Sequence, residues 1–158
     1  EWKGFDLNLF FQGVLKRDYM ASGMMFWGAD GGKWQSMVYK PHLDYFRDDP
    51  NHPLGLNLDA YYPWPNWNDS KNRKTQTRYL QNAAYARLKN VTFGYRLPSH
   101  FTQKFSVNNL RLFISGENLL TFTKLSKMFD PEILGLGWGD GKTYPLSKTI
   151  SFGLSVTL

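Results

Sequence analysis

Thr149-Ile150-Ser151-Phe152-Gly153-Leu154-Ser155-Val156-Thr157-Leu158 alternates without a break. Ile150, Phe152, Leu154, Val156 and Leu158 share one parity, while Thr149, Ser151, Gly153, Ser155 and Thr157 share the other. Successive strand side chains point to opposite faces, so this segment has one oily face and one face of small polar groups. The pattern runs to an apolar last residue, where most domains fray into polar ones. Bulky apolar groups outward and small polar groups inward, over about 9–11 residues, is the signature of a strand crossing a membrane in a β-barrel.

Composition permits this reading. The 158 residues show no internal repeat, and the length suits one ordinary domain. Mean hydropathy is −0.47, and no apolar run approaches the ~20 residues of a membrane helix. A barrel keeps a modest average because its lumen face and loops are polar. The aromatic fraction is 17%, with 6 Trp, 9 Tyr and 12 Phe, which suits interfacial girdles and aromatic-lined ligand surfaces. With no Cys, disulfide and thiolate chemistry are excluded. Glu1-Trp2-Lys3-Gly4-Phe5 has neither a basic start nor a small-residue cleavage site, so any export signal is expected outside these 158 residues.

Three further segments have strand character. The first, Phe5 to Lys16, sets Phe5, Leu7, Leu9, Phe11 and Gly13 against Asp6, Asn8 and Gln12, with Phe10 and Val14 blurring the polar face. A second runs from Tyr85 to Leu97 and stops at Pro98, which has no N–H to give a ladder. There Val91, Phe93, Tyr95 and Leu97 oppose Asn90, Thr92, Gly94 and Arg96, but Arg87 and Lys89 fall on the apolar parity. Either a bulge shifts the register or that end has left the hydrocarbon. After a polar connection, Ser99 to Asn109, the third strand sets Leu110, Leu112, Ile114, Gly116, Leu120 and Phe122 against Arg111, Ser115, Glu117, Thr121 and Thr123.

Connections are asymmetric: long at 17–82 and 124–144, short between the second and third strands. Outer-membrane barrels have short periplasmic turns and long external loops. Both long segments are therefore expected outside, and the C-terminus at the periplasm. The net charge of +6 is consistent, because Lys16, Arg17, Arg78, Arg87, Lys89, Lys124, Lys127, Lys142 and Lys148 fall at the expected outer rim, where lipid phosphates would pair with them. Lys and Arg also simply favour strand ends and solvated loops. Lys71, Arg73, Lys74 and Arg78 come with no stacking platform or helix-turn-helix pattern, so nucleic acid is not the expected partner.

Tyr79-Leu80-Gln81-Asn82-Ala83-Ala84-Tyr85-Ala86-Arg87-Leu88-Lys89-Asn90-Val91-Thr92-Phe93-Gly94-Tyr95-Arg96-Leu97-Pro98 resembles the hallmark segment of SusC/RagA-type TonB-linked outer-membrane transporters. Leu110 to Lys124 with Gly116-Glu117-Asn118-Leu119, then Phe129-Asp130-Pro131-Glu132, then Tyr144-Pro145, are similar to that family's C-terminal end. Trp2-Lys3-Gly4-Phe5-Asp6-Leu7 and Phe11-Gln12-Gly13 are similar to the start of the same region. The last residue departs, since such barrels usually close on Phe and this chain ends on Leu158. Ser151, Gly153, Val156 and Leu158 resemble the spacing of the signal read by the barrel-assembly machinery.

The resemblance implies an all-β fragment, the last strands of a large antiparallel transmembrane barrel. Transporter barrels of this type have about 22 strands around a plugged lumen. About four strands leave two open edges. Their N–H and C=O groups are too costly to leave unpaired in lipid, so the remainder of the barrel is an expected partner. The resemblance further implies Gram-negative outer-membrane location, import of a bulky oligosaccharide or peptide, a SusD-like capping lipoprotein, and TonB acting through a plug and segments not in this chain.

Enzyme signatures are lacking, and no cofactor is expected. His42, His52 and His100 show no metal-ligand spacing, and the first two are expected in a solvated loop. No G-x-S-x-G occurs. Asp30-Gly31-Gly32 and Gly139-Asp140-Gly141 lack calcium-loop spacing and read as turns. Asp130 and Glu132 are expected to serve a loop, and Glu117 to partner cations of the wall or plug. The best ligand candidate is Tyr61-Tyr62-Pro63-Trp64-Pro65-Asn66-Trp67-Asn68. Its prolines stiffen the backbone, Trp64 and Trp67 offer faces to sugar C–H groups, and Asn66 and Asn68 offer amides. The same rings could instead pack on neighbouring loops or a partner protein. Phe26, Trp27 and Trp34 are expected to cluster beneath this loop, and Trp138 is a further ligand candidate.

Two other architectures share the alternating strands: a soluble β-sandwich carbohydrate-binding module and a passive porin-like wall. The lipid-facing assignment has a direct test. In the assembled barrel, Phe152→Arg should cost about 2–4 kcal/mol near the midplane and Ser151→Arg distinctly less, read as the loss of denaturant stability in lipid. Equal tolerance of the two reverses the faces.

Overall fold

The computed structural model describes residues 1–21, 23–31, 37–67, 70–135, 141 and 143–157, without the side chains of Met24 and Phe105. The chain forms two compact units: Glu1–Arg17 with Ala84–Lys124 and Leu146–Leu158, and Asp18–Ala83 with Leu125–Pro145.

The first unit is a four-stranded antiparallel sheet. Its strands are β1 (Phe5–Val14), β4 (Tyr85–Arg96), β5 (Asn109–Thr123) and β6 (Thr149–Thr157), in the order β1-β4-β5-β6. These are the four expected strands, each long enough to cross a tilted hydrocarbon layer. In the second unit, the ribbon of β2 (Asp18–Met20) and β3 (Leu80–Asn82) pairs Asp18 with Asn82 and Met20 with Leu80, and so joins the two ends of the long excursion.

Directly paired residues share a face, so the register sorts the sheet. Leu7, Phe93, Ile114 and Phe152 form one cross-strand row, and Phe5, Tyr95, Leu112 and Leu154 the next. The opposite face carries the row Asn8, Thr92, Ser115 and Ser151. Apolar side chains on the first face stand open, with Phe152 82% exposed and Leu7 62%. A soluble sandwich would cover such a face with a second sheet. A barrel wall gives it to lipid.

Of the two explanations for Arg87 and Lys89, the register selects the bulge. Phe10 pairs with Asn90 while Phe11 pairs with Leu88, so Lys89 is an extra residue of β4 against β1. On the other side Leu88 pairs with Leu120 and Asn90 with Glu117, which leaves Asn118 and Leu119 opposite Lys89. Asn118 takes a left-handed φ of 53° there, a conformation Asn tolerates better than most residues. The extra residue inverts the parity of β4. Leu88 thereby joins Val91 and Phe93 on the apolar face, and Arg87 moves to the polar one. There it is buried and its Nε donates to Thr121 Oγ1 at 2.8 Å.

The polar face carries a clamp across three strands. Arg111 on β5 donates from Nε and an Nη to the two Asp6 carboxylate oxygens on β1, at 2.8 and 2.5 Å, passing over Gly94 of the intervening β4. Two parallel N–H···O bonds fix orientation as well as distance. The Arg111 guanidinium also lies 5.0 Å from the centre of the Phe113 ring. Phe113 pairs with Gly153, and a Cβ at that glycine would enter the Phe113 ring. An aromatic side chain over a cross-strand glycine covers backbone that would otherwise be bare, and it requires that residue to be glycine.

β4 and β5 are joined by two short helical turns, Ser99–Thr102 and Gln103–Phe105. Thr102 is buried, donates through Oγ1 to Ser99 O and accepts from the Val107 N–H.

The Phe113–Gly153 contact predicts coupled mutants. Gly153→Ala should destabilise the assembled barrel by about 1–3 kcal/mol through overpacking, and adding Phe113→Ala should recover much of that loss in a thermal melt. If Phe113→Ala recovers nothing, the glycine is required for another reason, such as recognition during assembly.

Candidate ligand-binding site

The second unit has its own core, in which rings centred on Phe26 pack with Ala21, Ala83, Leu125 and Leu134. Phe26, on the short helix Met24–Trp27, is 0% exposed. Edge-on or tilted rings surround it at centroid distances of 5.0 Å (Trp27), 5.4 Å (Tyr62), 5.9 Å (Tyr79) and 6.4 Å (Phe129). Such packing matches ring edges to ring faces and adds about 0.5–1.5 kcal/mol per pair beyond burial. Burial holds the phenols of Tyr61, Tyr62 and Tyr79 above their ordinary range, so all three remain neutral hydrogen-bonding groups.

Two buried charges tie the irregular backbone to this core. Arg47 donates through Nε to Gly55 O (2.8 Å) and through Nη1 to Leu43 O (2.7 Å), with its guanidinium 4.7 Å from the Tyr45 ring centre. A cation with several fixed donors thus satisfies carbonyls that no ladder reaches. Asp30, in the turn Gly28–Gly31, is buried. One carboxylate oxygen accepts from the Asn66 backbone N–H at 2.5 Å and the other from Asn72 Nδ2 at 3.3 Å. The expected turn at Asp30 and Gly31 is therefore a buried anchor, while Gly32 lies outside the described residues. Asp130 does serve its own loop, accepting from the Glu132 N–H at 3.0 Å.

These anchors position the aromatic segment. Asn72 Nδ2 also donates to Trp64 O at 2.9 Å, and the Tyr45 ring stands edge-on to Trp64 at 6.1 Å. Trp64 is 47% exposed, with Pro63 and Pro65 limiting its backbone. It borders a cleft of about 450 Å³ that Lys71, Asn72, Gln76 and Arg78 also line, with Tyr62 and Tyr79 among the remaining walls. Arg78 is braced: Nε donates to Tyr61 O at 3.1 Å and Nη2 to Ala60 O.

Among the described residues, Trp64 alone of the expected ligand residues lines this cleft. Trp67 is 65% exposed and is not among the residues that line it, and Asn66 gives its backbone N–H to Asp30. Trp138, Asn68, Gly139, Asp140 and Trp34 lie outside the described residues. Of the assembly-signal residues, Ser151 and Gly153 are on the polar face and Val156 on the apolar face, while Leu158 lies outside the described residues. The polar cleft residues escaped the sequence reading, although the basic run from Lys71 to Arg78 soon after the aromatics was a usable signal. Among the described residues no cluster could hold a metal ion.

Both loop histidines are partly buried and hydrogen-bonded. His52 Nε2 meets the Tyr45 hydroxyl at 3.1 Å. His42 is half-buried: its Nδ1 accepts from the Tyr39 N–H at 3.0 Å, and Nε2 lies 3.1 Å from Phe26 O. A ring nitrogen that accepts carries no proton, so Nε2–H is the donor and the neutral tautomer is the one that fits.

No protein-family model matches the chain. Among curated proteins, it is 29% identical to TonB-dependent receptor P3 of Formosa agariphila over 98% of the chain and 15% of that receptor. It is 30% identical to TonB-dependent receptor P26 of the same organism over 50% of the chain and 9% of the receptor. Among solved structures, the RagAB peptide transporter matches with a TM-score of 0.69 and 28% identity, over 98% of this chain and 16% of that one. The RagAB peptide importer in its open-open state matches with a TM-score of 0.66 and 26% identity, over 99% and 16%. The chain thus spans less than a fifth of the length of these relatives.

His42 generates a prediction about acid. Burial holds its imidazole below its ordinary value of 6.5, against the opposing pull of the Phe26 carbonyl and the Asp30 carboxylate. A depressed histidine means that the unfolded chain binds the proton more readily, so stability is full above about pH 6.5 and is lost as pH falls below it. The protection of the Tyr39 amide in the assembled protein, taken relative to its intrinsic exchange rate at each pH, should therefore fall between pH 7 and 5, and His42→Gln should flatten that dependence. Exchange that follows only the intrinsic pH law would contradict the assignment.

Proposed function

The chain is a SusC/RagA-type barrel fragment, and from that premise we propose that it contributes wall and external loops to an outer-membrane importer of a bulky nutrient, an oligosaccharide or a peptide. The observation that carries the proposal is the sheet's open apolar face backed by a polar one, which suits a wall between lipid and a wet lumen. The curated relatives named TonB-dependent receptors, and the solved transporter described as importing peptides, support it. A passive wall would have the same two faces, but these relatives favour the TonB-linked reading.

In this proposal 1–158 is one barrel portion. The segments 17–82 and 124–144 lie outside the cell and the C-terminus faces the periplasm. The edges of β1 and β6 pair with the rest of the barrel, which surrounds a plug. A SusD-like lipoprotein caps the entrance, and TonB acts through parts beyond this chain. Ser151, Gly153, Val156 and Leu158 serve as the assembly signal, with Leu158 offering less apolar area than the usual aromatic. Trp64 and Trp67 meet the ligand, assisted by Asn66 and Trp138. The anchoring of the Trp64 backbone supports this, because a pre-set ring gives up little freedom on binding.

One observation favours a second role for the same rings: Trp67 is not among the residues lining the Trp64 cleft and is more exposed, as a residue packing on a protein partner would be. Replacing both Trp64 and Trp67 with Ala in the assembled barrel separates the two roles. Ligand contact predicts intact assembly and a loss of about 1–3 kcal/mol in ligand affinity, on the scale measured for bases stacked on aromatic rings. Partner packing predicts unchanged ligand affinity and weaker capture of the lipoprotein. No change in either binding removes both roles.

A further inference from the structure

We infer that the cleft beside Trp64 is a carboxylate-selective subsite, with Arg78 as the residue that recognises the anionic group. This deepens the proposed ligand role of Trp64 and rests on it for the location of the ligand.

The first support is the way Arg78 is held. Its Nε donates to Tyr61 O at 3.1 Å and its Nη2 to Ala60 O, so one edge of the guanidinium is fixed on the backbone that leads into Trp64. Nη1 donates to no described group, and each Nη carries two hydrogens. The Nη1–Nη2 edge therefore keeps a pair of nearly parallel N–H bonds, the fork that matches the two oxygens of a carboxylate. Two backbone carbonyls orient the guanidinium without neutralising it.

The second support is the rest of the lining. Lys71, Asn72 and Gln76 also line the cleft, and the Asn72 amide nitrogen is already engaged by Asp30 and Trp64 O. Among the described lining residues none is acidic. A neutral sugar needs acceptors as well as donors, because each hydroxyl both gives and takes a hydrogen bond. The Arg78 fork supplies donors and no acceptor, which suits an acceptor-only group. At about 450 Å³ the cleft has room for one residue or one sugar ring. Trp64 at its border can cover the apolar face of that unit while Arg78 holds its charge.

A carboxylate can come from the C-terminus of a peptide or from a uronic acid, and the experiment separates these sources. In the barrel that carries this chain, binding is measured by calorimetry for a pentapeptide as free acid and as C-terminal amide, and for trigalacturonate and its methyl ester. The expected result is a preference of about tenfold for the charged member of one pair, the scale of a hydrogen-bonded charge. It should weaken as salt rises from about 20 to 300 mM, because screening shortens the reach of the cations. Arg78→Gln should cut the ratio to within about twofold, with the greater loss falling on the charged member. Arg78→Lys should recover part of it, since it restores charge but not the fork.

Because Arg78 also braces Ala60 and Tyr61, Lys71→Gln provides a second variant that leaves that brace in place, and it should lower the ratio by a smaller factor. Near-ultraviolet circular dichroism of the aromatic core reports whether each variant keeps its fold. Equal binding within both pairs in the wild type overturns the inference, as does a full preference retained in Arg78→Gln. The two readings fail separately. Loss of all ligand binding in the Trp64→Ala, Trp67→Ala protein, with the charge preference intact in Arg78→Gln, keeps the ligand role and removes the carboxylate subsite. An Arg78-dependent preference that survives loss of both tryptophans keeps the subsite and removes the stacking.

Discussion

A polypeptide in hydrocarbon must pair every backbone N–H and C=O with another part of a polypeptide, because lipid offers no substitute. The four-stranded sheet meets this demand internally, where β1, β4, β5 and β6 share antiparallel ladders interrupted by the bulge at Lys89. At its outer edges the demand passes to neighbours. Each edge strand presents a row of groups that only another strand can satisfy. That requirement explains how a sheet can leave Phe152 and Leu154 open on one face while holding an ion pair on the other: the sheet is wall, with lipid on one side and a wet interior on the opposite side.

Register then becomes the main risk, since a slip of one residue would send Arg111 and Asp6 into lipid. The polar face guards against this with contacts that only one register allows. Asp6 meets Arg111 across β4 because Gly94 leaves the space between them, and Phe113 lies over Gly153 for the same reason. The bulge at Lys89 does complementary work. Without it, Arg87 would project to the apolar side. With it, a single extra residue places the guanidinium beside Thr121. An irregularity in the ladder is thus a condition for the regularity of the two faces.

The four long strands were legible because alternation with a period of two is a local property, and their expected limits differ from the observed ones by at most two residues. The bulge was legible only as a pair of options, since whether an extra residue is present depends on the partner strand. The second unit was largely illegible. Phe26 and Trp27 were expected beneath the aromatic loop and do pack with Tyr62, but Tyr79 and Phe129 follow no repeating interval with them, so nothing in the order of residues marks these two as part of the same core. Asp30 was read as part of a turn because its partners, Asn66 and Asn72, lie in a distant stretch of chain. Arg47 gave no signal at all, because its partners are backbone carbonyls, which every residue carries. The expected ligand segment was found through its rings, but the groups that give the cleft its charge were visible only as a basic run.

The long connections therefore obey a different logic from the strands. A flexible loop that closed on a ligand would lose conformational freedom at that moment, and this cost would be subtracted from its affinity. In the second unit much of that ordering is part of folding. The Asp30 carboxylate holds the Asn66 backbone, Asn72 holds the Trp64 carbonyl, and Arg78 is fastened to Ala60 and Tyr61. The prolines on either side of Trp64 restrict the chain even before these bonds form. In the proposed ligand role, an incoming group would meet a ring and a cation whose supports are already in place, so selectivity there would be set by the groups fixed in the cleft and far less by loop rearrangement.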